Sequence, residues 1–124
     1  MDEALMRRYY ETYNSEDAEA LSAFYHPDCT LTSAQGTLQG RKAILDTYRG
    51  LVALFEDHMT PTAIRVDGNE AEVDIVDRFT ARADVADFMG QSLAAGESFE
   101  LRLVGHYRAE QGKLREIHIA LASD

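Results

Sequence analysis

Two long runs of alternating side chains, each turning back on itself at a glycine, limit most tightly what this chain can become. Segments at about 59–67, 70–82, 97–109 and 113–122 set apolar and polar residues by turns, the period of a half-buried strand. Gly68-Asn69 suits a two-residue hairpin loop, which pairs Val66 with Ala71, Ile64 with Val73, Thr62 with Ile75 and Thr60 with Asp77. The triplet Glu110-Gln111-Gly112, its glycine left-handed, pairs Leu103 with Ile119, Leu101 with Leu121 and Gly105 with Ile117. Both registers align apolar with apolar, so one face of an antiparallel sheet is greasy and needs cover.

The first half of the chain supplies that cover. Leu5, Met6, Tyr9, Tyr10 and Tyr13 recur at helical spacing. The segment Asn14-Ser15-Glu16-Asp17 interrupts them, and Ser15 can cap a second helix carrying Ala18, Leu21, Phe24 and Tyr25. His26-Pro27-Asp28 ends that helix, because the residue before a proline avoids helical geometry. The extended pieces CTLTS and GTLQG follow. Gly40 then leads into a third helix from about Arg41 to Phe55, with Ile44, Leu45, Tyr48, Leu51, Val52 and Phe55 as its stripe. Asp84–Gly96 reads as a long connection with one helical turn around Val85–Met89. The expectation is an α+β fold, a curved antiparallel sheet covered by three N-terminal helices, in a single domain over residues 1–124.

Several functions are disfavoured from the outset. Asp and Glu number 22 against 12 Lys and Arg, a formal charge of −10. Such a surface repels phosphate backbones and anionic membranes, so neither nucleic acid nor membrane is an expected partner. No apolar run approaches the roughly 20 residues that span a bilayer, and the acidic start MDEALMRRYY lacks a signal-peptide pattern. The sole cysteine, Cys29, allows no internal disulfide, which fits a reducing cytoplasm.

Within EVDIVDRFTA, Glu72 to Ala81, the period of two puts Asp77 on the same side as Val73, Ile75, Phe79 and Ala81. A carboxylate on an apolar face loses hydration, which raises its pKa toward the range of a general base. The competing reading is structural. Asp77 would accept from Thr60, pair with an arginine of a neighbouring element, or be turned outward by a bulge near Val76. Tyr9, Tyr13 and Tyr48 lie on helix faces toward the sheet, either as ligand-orienting hydroxyls or as core aromatics. On the opposite face, His106, Glu116 and His118 fall close in the expected register; an ordinary cross-strand pair is preferred there to a metal, and no metal or other cofactor is expected.

The stretches RRYYETYNSEDAEALSAFYHPDCTL, the GR opening the third helix, and GESFELRLVGHYRAEQGKLREIHI carry a resemblance to a known family. With the element order, they resemble the SnoaL-like branch of the cone-shaped nuclear transport factor 2-like (NTF2-like, cystatin-like) fold, which includes polyketide cyclases, ketosteroid isomerases and limonene epoxide hydrolases. The resemblance implies a conical, mostly apolar pocket for a small apolar ligand, and a homodimer formed through the sheet. On it, Tyr9 matches the oxyanion-stabilising tyrosine of the isomerases. Their catalytic aspartate becomes Ser33, and their second, protonated aspartate falls near Leu103 or Val104. The last-strand aspartate of the hydrolases and cyclases becomes Ile119. The hydrolases' water-holding tyrosine and asparagine become Leu31 and Ser33, and Arg78 matches their arginine but has Thr80 for its aspartate partner. The expected pocket wall comprises Tyr13, Phe24, Ser33, Tyr48, Leu51, Phe55, Phe79, Phe88, Met89, Leu103 and Ile119, with Phe88 and Met89 on a loop over the mouth. Two functions follow: a cofactor-free isomerase, cyclase or hydrolase in which Asp77 moves a proton and Tyr9 steadies negative charge, or a non-catalytic binder of a small hydrophobic ligand.

Overall fold

The computed structural model describes residues 1–88 and 90–122. Helix α1 (Glu3–Asn14) starts at Asp2, whose side chain accepts from the Leu5 amide at 2.8 Å. Its buried face is Met6, Tyr9, Tyr10 and Tyr13. Helix α2 (Ala18–Ser22) is capped by Asp17, not Ser15; the Ser15 hydroxyl instead donates to the Thr12 carbonyl at 2.6 Å and closes α1. Because α2 stops at Ser22, the chain is already extended at Tyr25, where β1 (Tyr25–Ser33) begins. Strand β2 (Gly36–Gln39) folds back on it. Helix α3 (Arg41–Leu54) passes straight into β3 (Phe55–Asp67), so the strand starts four residues before the expected position.

Strands β4 (Glu70–Ala81), β7 (Ser98–Glu110) and β8 (Lys113–Leu121) complete a six-stranded sheet of order β2-β1-β8-β7-β4-β3. All neighbours are antiparallel except β1 and β8, which run parallel. The sheet is therefore mixed, where alternation had implied a purely antiparallel one. Asp84–Gly96 holds a short hairpin, β5 (Val85–Phe88) with β6 (Gln91–Leu93), in place of the expected helical turn.

Both long hairpins depart from the expected register. Val66 pairs with Ala71 and Ile64 with Val73, but the register shifts between Pro61 and Ala63. Asp77 consequently lies opposite Met59, not Thr60. In the second hairpin, Gln111 and Gly112 form a two-residue loop with φ of 54° and 78°, the left-handed pair a tight hairpin requires. A further shift between Arg108 and Ala109 sets Leu103 opposite Leu121, Gly105 opposite Ile119 and His106 opposite His118.

The core lies between helices and sheet. All six tyrosines of the chain are buried there, joined by Met6, Leu21, Val73, Ile75 and Leu114. Each such side chain withdrawn from water contributes about 1.5–3 kcal/mol to folding. A second cluster, Phe55, Phe79, Ala81 and Leu93, joins the end of α3 to the β5–β6 hairpin. Among the described residues no helix is long and apolar enough to cross a membrane.

Candidate functional site

The alternation of β4 is unbroken from Ala71 to Ala81, and Asp77 points inward with only 2% of its surface exposed. The bulge that could have turned it out lies instead in β3, around Thr62. Thr60 is not its partner either: the Thr60 hydroxyl sits near His58 on the exposed side. The inward positions of β3 are Phe55, Asp57 and Met59, and Asp57 is 3% exposed. Since Asp57 faces Phe79 and Met59 faces Asp77, the two aspartates are diagonal neighbours on one face, with their carboxyls in hydrogen-bonding reach.

Sequence reasoning missed Asp57. Phe55 fits the α3 stripe as well as a strand, and that reading delayed β3 until Met59. The available signal was Phe55-Asp57-Met59, an alternation that continues the strand backward.

The pair is short of donors. The Tyr13 hydroxyl donates to Asp57 Oδ2 at 2.7 Å, while Oδ1 of each aspartate has no hydrogen-bonding partner among the described residues. Burial is the main force raising both pKa values. For Asp57 the hydrogen bonds with Asp77 and Tyr13 pull the other way, whereas for Asp77 the Asp57 carboxylate adds to the rise. Two carboxyls so placed cannot both ionise cheaply, so the pair holds a proton at neutral pH, with Asp77 as its main seat.

The carboxyls open into an apolar cavity of about 230 Å³ between α1, α3 and the sheet. Tyr9, Tyr13, Ser33, Tyr48, Leu51, Phe79, Phe88, Leu103 and Ile119 line it, as does Asp77. Phe24 and Phe55 do not. With α2 ended, Phe24 lies on the turn into β1, where its ring packs edge-on against Tyr9 at 5.7 Å, and Tyr25 takes the inward place. Phe55 is sealed in the second cluster, 4.5 Å from the Phe88 ring. Met89 lies outside the described residues. Besides Asp57, the wall gains Tyr25 and Tyr107.

The sequence offers the Tyr9 hydroxyl either as a donor to developing negative charge or as a satisfied core group. That hydroxyl lies 2.9 Å from the Tyr25 hydroxyl, so the two act as a pair that can pass on one donor. Tyr10 and Tyr107 form another such pair at 2.7 Å, and Tyr48 donates to the Tyr13 carbonyl. Burial pushes the hydroxyls of Tyr9, Tyr13, Tyr25 and Tyr107 well above their ordinary pKa, and Tyr48 up to about 12, which keeps all of them neutral donors.

The outer face of the sheet carries a broader, polar depression. His106 meets His118 there at a ring separation of 6.4 Å and approaches Glu72 at 3.5 Å, while Glu116 pairs with Arg108. Among the described residues no three His, Cys, Asp or Glu side chains gather in a metal-ligating group. Arg78, matched above to a catalytic arginine, is exposed on this outer side and reaches Ser98 at 3.3 Å.

The SnoaL-like domain family model matches residues 6–117. A search of curated proteins returns no match. Among solved structures, a candidate polyketide cyclase from Xanthomonas campestris pv. campestris superposes with a TM-score of 0.82 at 18% identity, over 96% of this chain and 88% of that one. IdmH, a candidate polyketide cyclase from Streptomyces antibioticus, gives a TM-score of 0.76 at 25% identity, over 94% and 88%. An NTF2-like protein of unknown function from Burkholderia pseudomallei K96243 gives 0.77 at 21%, over 96% and 88%. The likeness bears out the cone-shaped fold expected from the sequence.

Proposed function

This chain belongs to the SnoaL-like domain family, and from that premise we propose that it is a cofactor-free acid–base catalyst acting on a small apolar molecule with a carbonyl group. The observation that carries this reading is the buried pair Asp57 and Asp77, side by side on the cavity wall and short of hydrogen-bond donors. A pair sharing one proton holds an acid and a base at once. Asp77, the protonated member, donates to the carbonyl oxygen, and Asp57, steadied by Tyr13, removes a proton from the adjacent carbon. The C–H electron pair becomes the enol double bond, and the carbonyl π pair takes the Asp77 proton. The proton now on Asp57 crosses to Asp77 and resets the pair. Tyr9 and Tyr25 supply a neutral donor to the developing oxyanion.

The test is deuterium exchange at the α-carbon of small cyclic ketones such as 2-tetralone, followed by proton NMR in heavy water. The wild-type protein is expected to accelerate exchange over buffer, and Asp77→Asn to lower the rate by about 10²-fold or more. Absence of acceleration, or an unchanged rate in the variant, counts against the reading. A non-catalytic binder is the second reading. What favours it is that Ser33, Leu103 or Val104, and Ile119 fall where the family resemblance puts catalytic carboxylates. Under it, ketones bind without exchange.

A further inference from the structure

Among the described residues the cavity wall contains two carboxyls and five tyrosine rings but no lysine, arginine or histidine. The groups facing the carboxyl pair are Tyr9, Tyr10 and Tyr13 from α1, Tyr25 from β1, Tyr48 from α3 and Tyr107 from β7. All are neutral. His58 neighbours Asp57 along β3 but projects from the other face. The pair's negative charge thus lacks a buried counterion among the described residues, and one is needed if it is to be held without water.

The cavity offers what a counterion from outside would require. The carboxyls of Asp57 and Asp77 stand on the cavity wall with too few donors of their own and can accept N–H donors, and aromatic faces attract a cation that has shed its hydration. Leu51, Phe79 and Leu103 accommodate an apolar body. We propose that the cavity takes a small organic ammonium ion, its nitrogen bound to the Asp57–Asp77 pair and its hydrocarbon part against the aromatic wall. The inference rests on the reading that the pair serves the ligand cavity, and not on turnover.

Binding of this kind is linked to protons. Without a counterion the empty pair tends to take a second proton, which the arriving ammonium displaces while the shared one stays, so affinity rises with pH until the amine itself loses its charge. Isothermal titration with cyclohexylamine and with cyclohexanol, in two buffers of different ionisation enthalpy between about pH 6 and 8, tests this. The amine is expected to bind at least about tenfold tighter than the alcohol. About one proton should be released per amine bound, with up to about tenfold tightening per pH unit. Asp77→Asn should weaken the amine by about tenfold or more, and by clearly more than it weakens the alcohol. Because the pH dependence is read on the wild-type protein, the test survives a variant that folds poorly. Equal affinity for the two probes, amine affinity flat in pH, or no amine binding overturns the inference. Ketone exchange without amine binding would sink this inference alone, and amine binding without exchange would sink the catalytic reading alone.

Discussion

Asp77 is the residue whose burial opposes folding most directly at neutral pH. Burial, with Asp57 beside it, raises its ionisation far above the ordinary value of 3.8, and Asp57 shifts the same way. Below that ordinary value both folded and unfolded chains are protonated, and the contribution to stability is fully present. As pH rises the unfolded chain ionises first, so folding must take up a proton and stability falls toward the raised pKa. The slope is up to about 1.4 kcal/mol per pH unit. Asp77→Asn keeps the shape and removes one of the two titrating carboxyls, leaving Asp57 with its own burial-raised ionisation. It is expected to flatten the decline between about pH 5 and 8 and to be more stable than the wild type at the upper end, as read from urea midpoints across that range. An undiminished slope in the variant would place the titration elsewhere. That Asp77 faces inward was legible in the alternation of β4, since a strand keeps its period. That a second carboxyl stands beside it was not, because Asp57 follows a phenylalanine that helix and strand share.

At the level of elements, the limits of legibility are the bulges. Thr62 and Arg115 are the extra residues in β3 and β8, and after each the inward pattern simply resumes. A period of two carries no mark of where a residue was inserted, so the expected pairings drifted by one or two positions. The parallel seam between β1 and β8 was equally hidden, since alternation says nothing about strand direction. Strand β7 carries the clearest local constraint. A Cβ added at Gly105 would stand 2.7 Å from a ring carbon of Tyr107, 3.0 Å from its hydroxyl and 3.1 Å from Ile119 Cδ1. Gly105→Ala must therefore displace the ring that meets Tyr10. It is expected to cost about 1–3 kcal/mol, measured by denaturant unfolding. A neutral result would mean that β7 shifts as a unit to make room.

For the molecule as a whole, a formal charge of −10 on 124 residues sets the surface field. Local pairs such as Arg65 with Glu72 and Asp74, or Arg82 with Glu16, relieve it at points but leave the excess intact. Screening should therefore stabilise the fold. Raising sodium chloride from about 10 mM to 500 mM at pH 7.5 is expected to raise Tm by a few degrees, followed by circular dichroism. A fall would show that the ion pairs outweigh the repulsion. The tyrosines have a different consequence. The chain has no tryptophan, and five of its six tyrosines line the cavity while the sixth is bonded to one of those five. Tyrosine emission, unmasked by indole, thus arises from the wall of the pocket. The protein carries its own optical reporter, and occupancy can be read by light without a label.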